Sequence, residues 1–140
     1  MNRRMALLIL AFALPLFADD KKAKDESLLG KWEVVSAHFN GAEVARLKGR
    51  VIVMDNAKMV INEKDEKAGT LSYSIDAKVD PKQIDLERAS SKLKALGIYT
   101  VDKGELRICY GEPGAARPKK FESIAGDKNF LLVLKKAKMD

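Results

Sequence analysis

The stretch Thr70-Leu71-Ser72-Tyr73-Ser74-Ile75-Asp76 alternates without a fault: Leu71, Tyr73 and Ile75 on one side, small polar or acidic groups on the other. A period of two is what a half-buried strand requires, because successive side chains of a pleated ribbon point to opposite faces. Neighbouring stretches keep the same period. Ile84 and Leu86 alternate with Asp85 and Glu87, and Leu106, Ile108 and Tyr110 alternate with Glu105, Arg107 and Cys109. Residues 51–54 and 130–134 are apolar on both faces, as expected of strands covered on the outer side too.

Turn chemistry separates these runs. Asp55-Asn56, the segment 65–69, Asp80-Pro81, Asp102-Lys103-Gly104, Pro113-Gly114 and Gly126-Asp127 supply the residues that take positive or fixed φ at little cost. The pattern predicts eight or nine strands, over 31–39, 50–55, 58–63, 70–77, 83–87, 96–102, 105–110, 119–124 and 129–135. Two short helical pieces are expected, one over 25–29 with Asp25 as N-cap and one over 43–47 between Gly41 and Gly49. Connections too short for a crossover helix make sequential strands antiparallel neighbours. The expected fold is therefore all-β: an antiparallel up-and-down meander of about eight strands. Closing it into a barrel pairs both edge strands, which a two-sheet sandwich, the competing architecture, leaves exposed.

The N-terminal end reads differently. Arg3 and Arg4 precede an apolar run from Met5 to Phe17, and Ala18 offers a small residue for cleavage. This is the layout of a secretory signal peptide, expected to be cut after Ala18, and it implies an exported (periplasmic or secreted) protein. A polar lead-in, 19–26, then joins it to the barrel domain, 27–140. No integral membrane segment is expected after cleavage.

Of 140 residues, 46% are apolar and 33% charged, which suits one small globular domain. Removing the leader takes two of 26 basic residues and leaves about +4 against 20 acidic ones. Much of that excess sits in Lys21, Lys22 and Lys24 at one end and Lys135, Lys136 and Lys138 at the other. Without aromatics interleaved among arginines, it points to solvated ends and to no nucleic-acid partner. A single Cys excludes an intramolecular disulfide, so stability must come from packing. A single His beside it excludes a His/Cys zinc cluster and most nucleophile–base pairs. Neither Asp19-Asp20 nor Asp65-Glu66 has calcium-loop spacing, and no cofactor is implied.

The motifs add a resemblance. Leu28-Leu29-Gly30-Lys31-Trp32 leads into the first strand with a Gly-x-Trp opening, which resembles the lipocalin-like superfamily. Gly97-Ile98-Tyr99, Leu106-Arg107-Ile108-Cys109-Tyr110, Gly114, and Arg117-Pro118 with Phe121 follow in order. Together they resemble a lipocalin-like domain family of unknown function, abundant in exported proteins of planctomycete bacteria. The resemblance spans 28–121 and implies a small exported barrel whose Trp32 plugs the closed end against a basic residue of the last strand. Lys135 or Lys136 takes that part here, where the family pattern more often has Arg. The family brings no established activity.

The candidate residues follow. Gly30, Trp32, Gly97, Cys109, Pro118 and Phe121 are the structural motif, with Cys109 expected as a small buried hydrophobe. Tyr73, Tyr99 and Tyr110 either line a cavity or pack in the core. Arg117, held extended by the following proline, either pins its loop through Glu105, Glu112 or Glu122 or binds an anion at the barrel mouth. His38 and Cys109 are the one nucleophile–base pair the chain offers, and nothing else in the sequence supports an enzyme. The expected function is binding of a small apolar or amphipathic molecule. The alternative is a structural or interaction domain of the cell envelope with a filled barrel.

Overall fold

A computed structural model describes residues 25–62, 69–88 and 93–137. The expected signal peptide and the lead-in up to residue 24 lie outside the described residues. Nine strands run in chain order: β1 (Gly30–Phe39), β2 (Ala42–Glu43), β3 (Val51–Met54), β4 (Lys58–Asn62), β5 (Thr70–Asp76), β6 (Lys82–Arg88), β7 (Lys94–Asp102), β8 (Glu105–Tyr110) and β9 (Phe130–Lys136). Every pairing is antiparallel. From β3 to β9 each strand pairs with the next, and β9 returns to pair with β1. The sheet is thus a closed eight-stranded barrel, with the two-residue β2 appended to β1. Among the described residues no helix is long and apolar enough to cross a membrane.

Alternation decides what faces the axis. Leu71, Tyr73 and Ile75 of β5 pair with Arg88, Leu86 and Ile84 of β6, so the fault-free stretch lies with its apolar face inward. In β1 the alternation breaks once. A register shift between Val34 and Ser36 leaves Val35 bulged, so that Trp32 and Val34 point inward before it and Ala37 after it. The bulge keeps Ala37 within the core and sets Phe39 on the inner wall.

The two ends of the barrel differ. At one, the hairpins β3–β4, β5–β6 and β7–β8 turn tightly. Lys103 and Gly104, at φ 52° and 80°, give the two-residue turn expected at Asp102-Lys103-Gly104, and the Asp55 carboxylate accepts from the backbone N–H groups of Ala57 and Lys58. A 3₁₀ turn, Glu26–Leu28, tucks under this end with Asp25 as its N-cap and drives Leu28 to full burial. At the other end the β4–β5 and β8–β9 connections are longer, and the barrel opens.

Two expected elements are corrected. The helix over 43–47 is a 3₁₀ turn, Ala45–Leu47, preceded by β2, whereas the piece over 25–29 forms as expected, one turn capped by Asp25. The strand over 119–124 does not form; residues 111–129 make an irregular strap over the outside of the barrel. Direct pairing of β8 with β9 and of β9 with β1 leaves no vacant edge for it. The strap satisfies its own polar groups instead. Ser123 Oγ accepts from Gly41 N and donates to Asn129 O, and Asn40 Oδ1 accepts from Gly126 N and Lys128 N.

Candidate functional site

The floor of the barrel is solid. Trp32, Tyr99, Leu28, Ile52, Met54, Met59, Ile84, Leu106, Ile108 and Leu134 are each almost fully buried. Trp32 Nε1 donates to the Leu28 carbonyl at 2.9 Å, and Tyr99 Oη donates to Asp25 Oδ2 at 2.8 Å. The Tyr73 hydroxyl donates to the Asp55 carbonyl. Burial, reinforced by the bond to Asp25, holds the Tyr99 hydroxyl far above its ordinary value, and burial also raises Tyr73. Both therefore serve as protonated donors that tie the floor together.

Toward the mouth the filling stops. A cavity of about 520 Å³ is walled by Phe39, Leu71, Leu86, Ala95, Tyr110 and Phe130, with Arg88, Leu93, Gly111, Glu112, Pro113 and Lys128 at its edge. Its volume falls within the range of about 300–1,000 Å³ usual for small-molecule sites. The register explains the space. The cross-strand partner of Tyr110 is Gly97, which presents no side chain, and the inward neighbour of Leu86 is Ala95. Tyr110 packs closely over Gly97, and the small Ala95 on β7 leaves room at the aromatic wall, where Tyr110 and Phe130 stack with centroids 5.3 Å apart and Phe39 lies 5.9 Å from Phe130.

Of the three tyrosines singled out in the sequence, Tyr110 alone lines this cavity. Its hydroxyl makes no hydrogen bond among the described residues. Burial pushes it up to about 12, with the Arg88 guanidinium pulling the other way, so at neutral pH it is a neutral donor facing the hollow. Tyr73 and Tyr99 belong to the floor. Phe39, Leu86, Ala95, Phe130, Arg88 and Lys128 were not singled out. A rim becomes visible only once strand ends are aligned around the closed sheet.

Arg117 lies on the outer wall rather than at the mouth. Its Nη1 donates to Asp85 Oδ1 at 2.6 Å and to the Gly97 carbonyl at 2.9 Å. It pins the strap as expected, but to Asp85 and not to Glu105, Glu112 or Glu122. Pro118 beside it is buried, and Phe121 is half-buried. Together with Gln83, Ile98 and the β5–β6 turn, Arg117 and Pro118 line a second, shallower hollow of about 310 Å³.

The outer faces of β7 and β8 carry Ile98 and Cys109, paired in register and both buried, yet outside the central core cluster. The Cys109 thiol donates to the Glu122 carbonyl of the strap, and burial raises its pKa. His38 and Cys109 flank Leu131 on the outer face, one strand away on either side. Two strand spacings put their backbones about 10 Å apart. No hydrogen bond joins them.

Comparison with family models, curated proteins and solved structures yields no match to this chain.

Proposed function

We propose that this protein is an exported, lipocalin-like binding module that holds a small apolar or amphipathic molecule in the mouth of its barrel. The observation that carries this reading is the contrast within one barrel between a filled floor and a hollow of about 520 Å³ walled by Phe39, Leu71, Leu86, Ala95, Tyr110 and Phe130. Burying an apolar ligand there releases about 25 cal/mol per Å² of apolar surface removed from water. The signal-like residues 1–18, the Trp32 plug and the ordered motifs from Gly30 to Phe121 support export and the lipocalin-like kinship.

The neutral probe N-phenyl-1-naphthylamine, whose emission rises in apolar surroundings, tests the reading. One probe per chain is expected to bind, and Ala95→Phe, which fills the hollow from its wall, is expected to abolish binding while the fold is retained. Absence of binding by the native protein would refute the reading.

The filled floor favours a second reading, a structural domain of the cell envelope acting through its outer surface. That reading expects Ala95→Phe to have no functional effect.

A further inference from the structure

Resting on the mouth-cavity reading, we propose that the site selects amphiphiles carrying a single anionic headgroup, which Arg88 and Lys128 hold at the rim beside the Tyr110 hydroxyl. The lining is sorted by depth. Leu71, Leu86 and Ala95 with Phe39 and Phe130 offer a ligand tail only apolar side chains, whereas the exposed charged groups gather at the edge. Among the described residues of the rim two are cations and one, Glu112, is an anion, a balance that favours negative charge.

Neither cation is already satisfied. The described ion pairs are Lys82–Asp25, Arg107–Glu105 and Arg117–Asp85, and neither Arg88 nor Lys128 takes part in one. Arg117 makes the contrast plain: it too borders a hollow, but its guanidinium is committed to Asp85 and the Gly97 carbonyl. At the mouth a guanidinium, an ammonium and an unpartnered phenol converge on one opening. All three line that cavity, so an anionic headgroup held there has these donors to accept from, and charge-assisted bonds are roughly twice as strong as neutral ones. A neutral alcohol forfeits the charge assistance, and a quaternary ammonium meets like charge.

Displacement of N-phenyl-1-naphthylamine by ten-carbon ligands below their micelle concentrations tests the proposal. Decanoate and decyl sulfate are expected to compete about tenfold or more better than decanol, with decyltrimethylammonium weakest. Comparing the two anions tells a preference for carboxylate from one for sulfate. The Arg88→Gln/Lys128→Gln double variant is expected to bring decanoate to the level of decanol, and Glu112→Gln to widen the gap. About 0.5 M salt should narrow the gap, because the rim is solvent-facing. All three substitutions are at exposed positions, and circular dichroism verifies the fold. Equal competition by decanol and decanoate in the native protein overturns the headgroup proposal and leaves the cavity reading standing. So does a preference that survives in the double variant. If probe and decanol both fail to bind, the cavity reading falls and the proposal falls with it.

Discussion

Lys136 Nζ lies 4.5 Å from the centre of the Trp32 ring and donates to the Leu29 carbonyl at 2.7 Å. One ammonium thereby joins the last strand to the plug and to the turn that precedes the first strand. Residues 135 and 136 were equal candidates for this part, and the register decides between them: Lys136 pairs with Trp32, whereas Lys135 pairs with Glu33. Lys136→Met is expected to cost about 0.5–1 kcal/mol, the size of an exposed cation–π contact, read as a lower urea midpoint. Lys136→Arg keeps a cation that stacks on the indole and is expected to hold the midpoint.

Gly97 admits no side chain. A Cβ there would lie 2.7 Å from the Cys109 carbonyl oxygen and 2.8 Å from Tyr110 Cβ, and the first of these is backbone in a paired strand. Gly97→Ala is expected to destabilise the fold by about 1–3 kcal/mol. An unchanged denaturation midpoint would contradict this packing account.

Asp25 links the floor to acidity. Burial raises its pKa, but hydrogen bonds from Ser27 and Tyr99, with Lys82 nearby, outweigh burial and hold it below its ordinary value of 3.8. A carboxylate with a folded pKa below its unfolded one adds stability above the unfolded value. That stability is lost as pH falls through the folded value. Melting temperature is therefore expected to drop below about pH 4. Asn caps a helical turn as well as Asp does, so Asp25→Asn removes the charge and keeps the cap. Its melting temperature should fall less steeply over the same acid range.

The strap shields a thiol, which makes its opening measurable. Cys109 is fully buried, and burial raises its pKa, so native protein should react slowly with Ellman's reagent. Arg117→Ala removes both bonds that anchor the strap near β6 and β7. It is expected to raise the reaction rate about tenfold through local opening, at a stability cost of about 1–2 kcal/mol for a partly exposed ion pair. A reaction rate equal to that of the native protein would show that the strap is held elsewhere.

The meander was legible because the period-two signal of 70–76 and its counterparts is local, and because the turn residues mark where each ribbon reverses. Closure was legible by elimination, from the edges an open sheet would leave. The strap was not. Residues 119–124 carry two apolar side chains, Phe121 and Ile124, but only the pairing of β8, β9 and β1 shows that no edge awaits them. The site was half-legible for the same reason. Tyr73, Tyr99 and Tyr110 look alike in the sequence, each an aromatic among strand residues. What separates them is height along the axis, fixed by register between strands far apart in the chain: Tyr99 reaches Asp25, and Tyr110 faces the side-chain-free Gly97. Arg117 could be read as an anchor, but its partner Asp85 is 32 positions away and carries no local mark.

Both flanks of the barrel leave from the floor. Asp25 begins the described chain beneath Tyr99, and the Ala137 N–H closes on the Lys31 carbonyl at 3.0 Å, on the far side from the opening. A tether or neighbouring module joined at residue 25 or at residue 137 therefore meets the barrel at the sealed pole. A barrel immobilised at Asp25 or at Ala137 would be held by its sealed pole, with the vestibule at the opposite end.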